Sequence, residues 1–194
     1  MLIYLVIIVL AVILVYLWLS YNQFVTLKTR IQASIQEIGN QLKRQAELIP
    51  NLVESVKGYL KHEKTIFKEL TEARKAIVAA SAKKDVEEMV AANRQLQKAI
   101  GDLRVIVEST PEIKGVQTVT KLMDELRDTA DKVMYSRRTL IDLTADYNIM
   151  VRTFPSNVVA KLFNFTPEKG LKVAEEGEHL EVSTQETKTP KVDL

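Results

Sequence analysis

Few side chains in this 194-residue chain are of the kinds that do chemistry, and none falls into a catalytic spacing. There are two histidines, His62 and His179, and no cysteine. His62-Glu63 lacks the second His of an H-E-x-x-H zinc site. Di-iron bundles need a pair of Glu-x-x-His motifs, and no such pair is present. No G-x-S-x-G elbow and no G-K-[ST] phosphate loop occurs, and Gly58, Gly101 and Gly115 stand singly. The doublets Lys43-Arg44, Lys83-Lys84 and Arg137-Arg138 read as solvated faces, and a net charge of +2 gives no global field for nucleic acid. The expectation is a non-enzymatic chain with no metal, no cofactor, no small-molecule substrate and no nucleic-acid partner.

What remains is a set of polar residues at apolar positions. Gln45, Glu63, Asn93 and Arg137 each interrupt a helical seam of hydrophobic residues. A lone buried charge costs several kcal/mol unless paired. A fork from Arg137 onto Glu63, completed by Asn93, would answer that cost. Such a layer fixes helix register, as one Asn does in a coiled coil. A ligand or ion site in the bundle core is the sharper alternative, and a residue pointing to solvent the blander one.

The elements that would position these residues are helices. Phe24, Leu27, Ile31, Ile35, Ile38 and Leu42 recur at steps of three and four. Pro50 removes a donor and disfavours helix at Ile49, so it is a hinge candidate: a kink or a helix end. Beyond it Leu52, Val56, Tyr59, Glu63, Ile66, Leu70, Ala73 and Ile77 form an unbroken heptad seam running to about Ser81. Asp85 is a plausible N-cap for a helix from Val86, which stops at Ser109-Thr110-Pro111. A long amphipathic stretch runs from Val119 to Phe154, and Ser156 can cap a short last helix, Asn157 to Phe163. From Thr166 the chain is polar and aromatic-free. The expected fold is all-α, about three or four long helices joined by short loops in an antiparallel up-and-down bundle.

The bundle hangs from an apolar segment. Met1–Leu19 contains no charge, Gly or Pro. About 18 such residues span roughly the 30 Å hydrocarbon core. Tyr4 at one end, and Tyr16, Trp18 and Tyr21 at the other, suit the two headgroup interfaces. A cleaved signal peptide needs a basic start and a small-residue cleavage site. Leu2 directly follows Met1, and Ser20-Tyr21-Asn22-Gln23 follows the run, so a retained anchor is expected. Lys28 and Arg30 follow the span and no cation precedes it, which places the N-terminus outside and the bundle in the cytoplasm. The organisation is an anchor over 1–20, a helical bundle over 21–165 and a disordered tail over 166–194, with anchor and first helix forming one rod.

Several blocks resemble the LemA family of bacterial and archaeal membrane proteins. They are Tyr21-Asn22 and LKTRIQAS, then QLKRQAELIPNLVESVKGYLKHE from Gln41 to Glu63, and EARKA from Glu72 to Ala76. ELRDTADKVMYSRRTLIDLTADYN, Glu125 to Asn148, and TFPSNVVAKLFNF, Thr153 to Phe165, follow in order. The chain departs from the family at Ser34-Ile35, where a Trp is usual, and at STPEIKGVQTVTKL from Ser109 to Leu122, where a YPDLK-type loop with aromatics is usual. The resemblance implies one N-terminal anchor, a cytoplasmic antiparallel helical domain and no catalytic residues. One branch is associated with magnetosome membranes, which implies membrane shaping or recruitment. The expected function is a cell-membrane scaffold that self-associates or recruits partners, its lipid membrane being the first of them. A membrane-tethered signalling or stress-response sensor is the alternative.

Overall fold

The structure, a computed structural model, describes residues 1–60 and 63–171. His62 and His179 lie outside the described residues, as does the tail beyond Leu171. Among the described residues there are six helices and no strand: α1 Leu2–Lys57, α2 Lys64–Lys83, α3 Val86–Ser109, α4 Pro111–Lys114, α5 Gln117–Arg152 and α6 Ser156–Leu162. The all-α expectation holds.

The 56 residues of α1 make a rod of about 84 Å. Its first part, Leu2 to Val15, is exposed throughout. It is a candidate membrane span, and none of its most apolar window is buried. From Ser20 the same helix turns one face inward, burying Phe24, Leu27, Ile31, Ile38, Leu42, Ile49, Leu52 and Val56. No Gly or Pro separates the two parts until Gly39, so the helix has no reason to stop.

Short connections return each helix along its predecessor. α2 packs on α1, α3 on α2, and α5 runs antiparallel along α1. That direction is fixed by cross-links of opposite order: Phe24 meets Tyr147, and Arg44 meets Glu125. Asp85 caps α3 as its type and position predict, its carboxylate accepting from Glu88 N–H at 3.1 Å. Ser156 does not cap the last helix; its hydroxyl donates backward to the Met150 and Thr153 carbonyls.

Three boundaries differ from the periodicity. Pro50 does not end a helix, since α1 continues to Lys57. The break falls instead at Gly58, inside the heptad seam, and α2 begins at Lys64. Folding back there buries Leu60 and Ile66 in the core, which an unbroken helix would carry away from it. The pattern survives the turn because both helices face the same core. At the other end Phe154 is exposed rather than seamed, α5 stopping at Arg152.

The chain beyond Phe165 also differs from a tail that leaves the bundle. The Glu168 N–H donates to Asn148 Oδ1 at 2.9 Å, and Asn148 Nδ2 donates to the Glu168 carbonyl at 2.9 Å. Lys28 pairs with the Glu168 carboxylate at 3.2 Å. Gly170 lies against Thr144, and Leu171 packs on the core. Phe165 to Leu171 is therefore a strap laid along α1 and α5, its end lying beside the start of α3 at Val86 and Glu87.

Candidate functional site

The four seam residues do not form one layer. Gln45 is fully buried, and its Nε2 donates to the Leu126 carbonyl at 3.4 Å. Thr129 Oγ1 donates to that same carbonyl at 2.9 Å, so the α1–α5 interface carries a small polar step. Asn93 is buried on α3 and accepts from Gln97 Nε2 one turn on, at 3.4 Å. Glu63 sits at the N-cap position of α2 and is exposed. The expected Arg137–Glu63 fork is absent: the Phe24–Tyr147 and Arg44–Glu125 contacts set Arg137 level with the middle of α1, whereas Glu63 precedes α2 beyond the far end of α1 at Lys57. Arg137 is half-buried without it. Burial first, and the Arg94 charge second, lower its pKa from the ordinary guanidinium value. Among the described residues none of the four hydrogen-bonds another, and no cluster of His, Cys, Asp or Glu could hold a metal ion.

Pro50 lies in the second constellation, which sequence reasoning half found. A proline inside a helix frees the carbonyl four residues earlier, here that of Ala46. That carbonyl accepts from Arg74 Nε of α2 at 3.0 Å. Ala46 is buried, so an unmet carbonyl there would cost about 1–3 kcal/mol. Arg74 thus replaces the missing backbone bond with a tertiary one and ties α2 to the last quarter of the rod. Both residues stand in the blocks quoted for the family resemblance, but no spacing rule links a proline to a residue 24 positions on.

The third constellation sits where the rod leaves the candidate span. Phe24 stacks on Phe165 at 4.7 Å between ring centroids and meets Tyr147 edge-on at 5.7 Å. Tyr21 packs on Phe163 at 4.8 Å and on Phe165 at 5.7 Å. Tyr16 is partly buried against the core, while Tyr4 and Trp18 are exposed. So of the four aromatics expected at membrane interfaces, Tyr16 and Tyr21 also face the bundle. The Tyr147 hydroxyl is buried with no partner among the described residues, and burial raises its pKa above the ordinary value. The sequence shows these aromatics; what it does not show is the chain's return after Pro155 that gathers them.

Two surface grooves flank α5. One, of about 770 Å³, runs between α1 and α5 past Ala33, Ser34, Glu37, Lys132, Tyr135 and Ser136. Its floor is small side chains and its edges carry both signs of charge. Arg44 and Glu125 bridge α1 and α5 beyond it at 2.6 Å. That hydrogen bond holds the Arg44 pKa above its ordinary value. The other, of about 420 Å³, lies between α3 and α5 beside Ile100, Gly101, Met123 and Ala130. Neither combines a nucleophile, a base and an oxyanion donor.

Comparison with known proteins bears on this architecture. The model of the LemA family matches residues 34–192. The match continues past Phe165 through the strap and on into the acidic stretch, where the residue blocks quoted above had ended. No curated protein matches the chain.

Proposed function

The chain belongs to the LemA family, and on its architecture we propose that it is a membrane-anchored, non-enzymatic scaffold that self-associates in the plane of the membrane. One observation carries this reading. The candidate span and the spine of the bundle are a single uninterrupted helix, Leu2–Lys57. An anchor continuous with the core passes its orientation directly to the bundle, whereas a flexible linker would lose it. Anchors confined to one surface bring copies together in parallel. Lys28 and Arg30, just beyond the span, favour the cytoplasmic side for the bundle of a cell-membrane protein.

The groove between α1 and α5 is the surface best suited to a second copy. Arg30 and Lys132 face it together with Glu37 and Asp131, so one patch carries both halves of a charge match. Self-complementarity of this kind is what a two-fold interface requires. The absence of cysteine makes the test clean. Ser34→Cys in the groove should form disulfide-linked dimers in native membranes under mild oxidant, and Val105→Cys on the outer face of α3 should not. Equal crosslinking at both positions, or none at Ser34→Cys, would argue against a groove-mediated scaffold.

A second reading, a tethered sensor or adaptor, draws on Arg74. A hydrogen bond from α2 to a proline-freed carbonyl is a contact that a small movement of the hairpin would open, and a bound partner could bias it.

A further inference from the structure

α6 is apolar on two faces. Val159 and Ala160 are buried in the core. Phe154, Val158 and Leu162, spaced four apart, are 81%, 54% and 64% exposed. Ile149, near the end of α5, and Phe163, just after α6, are exposed as well. The remaining exposed apolar residues of α2 and α3 stand singly, Val78 on one and Val105 on the other. Five large apolar side chains exposed within the fifteen residues from Ile149 to Phe163 mark an interaction site.

Its position says what covers it. Phe163 packs on Tyr21, two residues beyond the apolar run. Ser20 is buried, and Tyr16 and Leu17, inside that run, are packed against the core of the bundle. The bundle therefore reaches down to the last turn of the candidate span. At about 1.5 Å per residue, Tyr16 to Tyr21 covers only about 8 Å of height, the thickness of a headgroup layer's inner part. Charge agrees with position. From Ile149 to Pro167 the chain carries Arg152 and Lys161 and no carboxylate. Apolar and aromatic side chains flanked by cations are the composition of segments that lie in a membrane interface.

We propose that the segment from Phe154 to Phe163 is a second membrane contact, seated in the headgroup layer of the bilayer that holds the anchor. This rests on the anchor reading. Phe154, Val158 and Leu162 enter the acyl boundary, and Arg152 and Lys161 meet lipid phosphates. One helix alone leaves the bundle free to rotate about its own axis; a second contact beside it fixes which side faces along the membrane and which faces away.

The chain has one tryptophan, Trp18, so fluorescence separates the two contacts. Full-length protein is reconstituted into phosphatidylcholine and phosphatidylglycerol vesicles, with or without lipids brominated near the headgroup end of their acyl chains. In the wild type, Trp18 reports the anchor. In a Trp18→Phe background, Val158→Trp and Leu162→Trp report the patch, and Tyr135→Trp reports a surface half-way along α5. The expected result is blue-shifted emission and at least about two-fold quenching at Trp18, Val158→Trp and Leu162→Trp, with none at Tyr135→Trp. Quenching at Trp18 with red, unquenched emission at both patch positions overturns the second contact and leaves the anchor standing. Blue-shifted but unquenched emission there overturns it in favour of a protein covering the patch. An unquenched Trp18 overturns the anchor and the second contact together.

Discussion

Arg74 has its importance from a proline far from it in sequence. The guanidinium replaces the bond that Pro50 cannot make, so the two positions should be coupled. Arg74→Ala is expected to destabilise the protein by about 1–3 kcal/mol, since it leaves the buried Ala46 carbonyl unmet. In a Pro50→Ala background the backbone N–H returns, and the same substitution should cost at least about 1 kcal/mol less. Thermal unfolding of the four proteins in mild detergent measures this; equal costs in both backgrounds would show that the bond does not answer the proline. Tyr147 gives a pH dependence at the same scale. Its phenol pKa is raised by burial above the ordinary value of 10.0. Below about pH 10 folded and unfolded chains both hold the phenol neutral, and stability does not respond. Above it the unfolded chain ionises first, so stability falls as pH rises. Tyr147→Phe should flatten that alkaline fall, and at neutral pH it should cost under about 1 kcal/mol, because the hydroxyl has no partner among the described residues. Melting temperatures of both proteins from about pH 8 to about pH 11 check the difference.

Helices were legible in the sequence because burial on one face leaves a period of three and four. Phe24 to Leu42, the Asp85 cap and the stop at Thr110-Pro111 all followed from local rules. Gly58 was not legible as the break, because α1 and α2 present the same seam to the same core and the heptad runs on through the turn. The Arg137–Glu63 pairing failed because the fold-back leaves Glu63 at the far end of the bundle, well away from the level of Arg137. The strap was illegible for another reason: between Phe165 and Leu171, the two residues that pack on the core, its ties are the Asn148 side chain on the Glu168 backbone and one ion pair, and two apolar residues six apart make no periodic pattern. Asn148 holds the Glu168 backbone through both donor and acceptor. Asn148→Ala is therefore expected to cost about 1–2 kcal/mol and to speed hydrogen exchange in residues 163–171, leaving α2 and α3 unchanged. Exchange as slow as in the wild type would show that the strap is held by other contacts.

At the scale of the whole molecule, a candidate span and the spine of the bundle share one helix, an aromatic junction gathers just beyond the apolar run, and the strap lies along α1 and α5 with the start of α3 beside its end. Membership of the LemA family accords with this plan. On the proposed reading, the continuous helix would hold the bundle at a fixed height and present the α1–α5 groove to another copy in the same membrane. The central claim is that the anchored rod assembles with itself. It is tested most directly by the mass of the full-length protein in nanodiscs, read by mass photometry with negative-stain imaging. The account predicts a discrete assembly of two or more copies that is lost when Ser34 and Ser136, at the small-residue floor of the groove, are replaced by bulky Arg. A monodisperse single copy in nanodiscs large enough for several would contradict it.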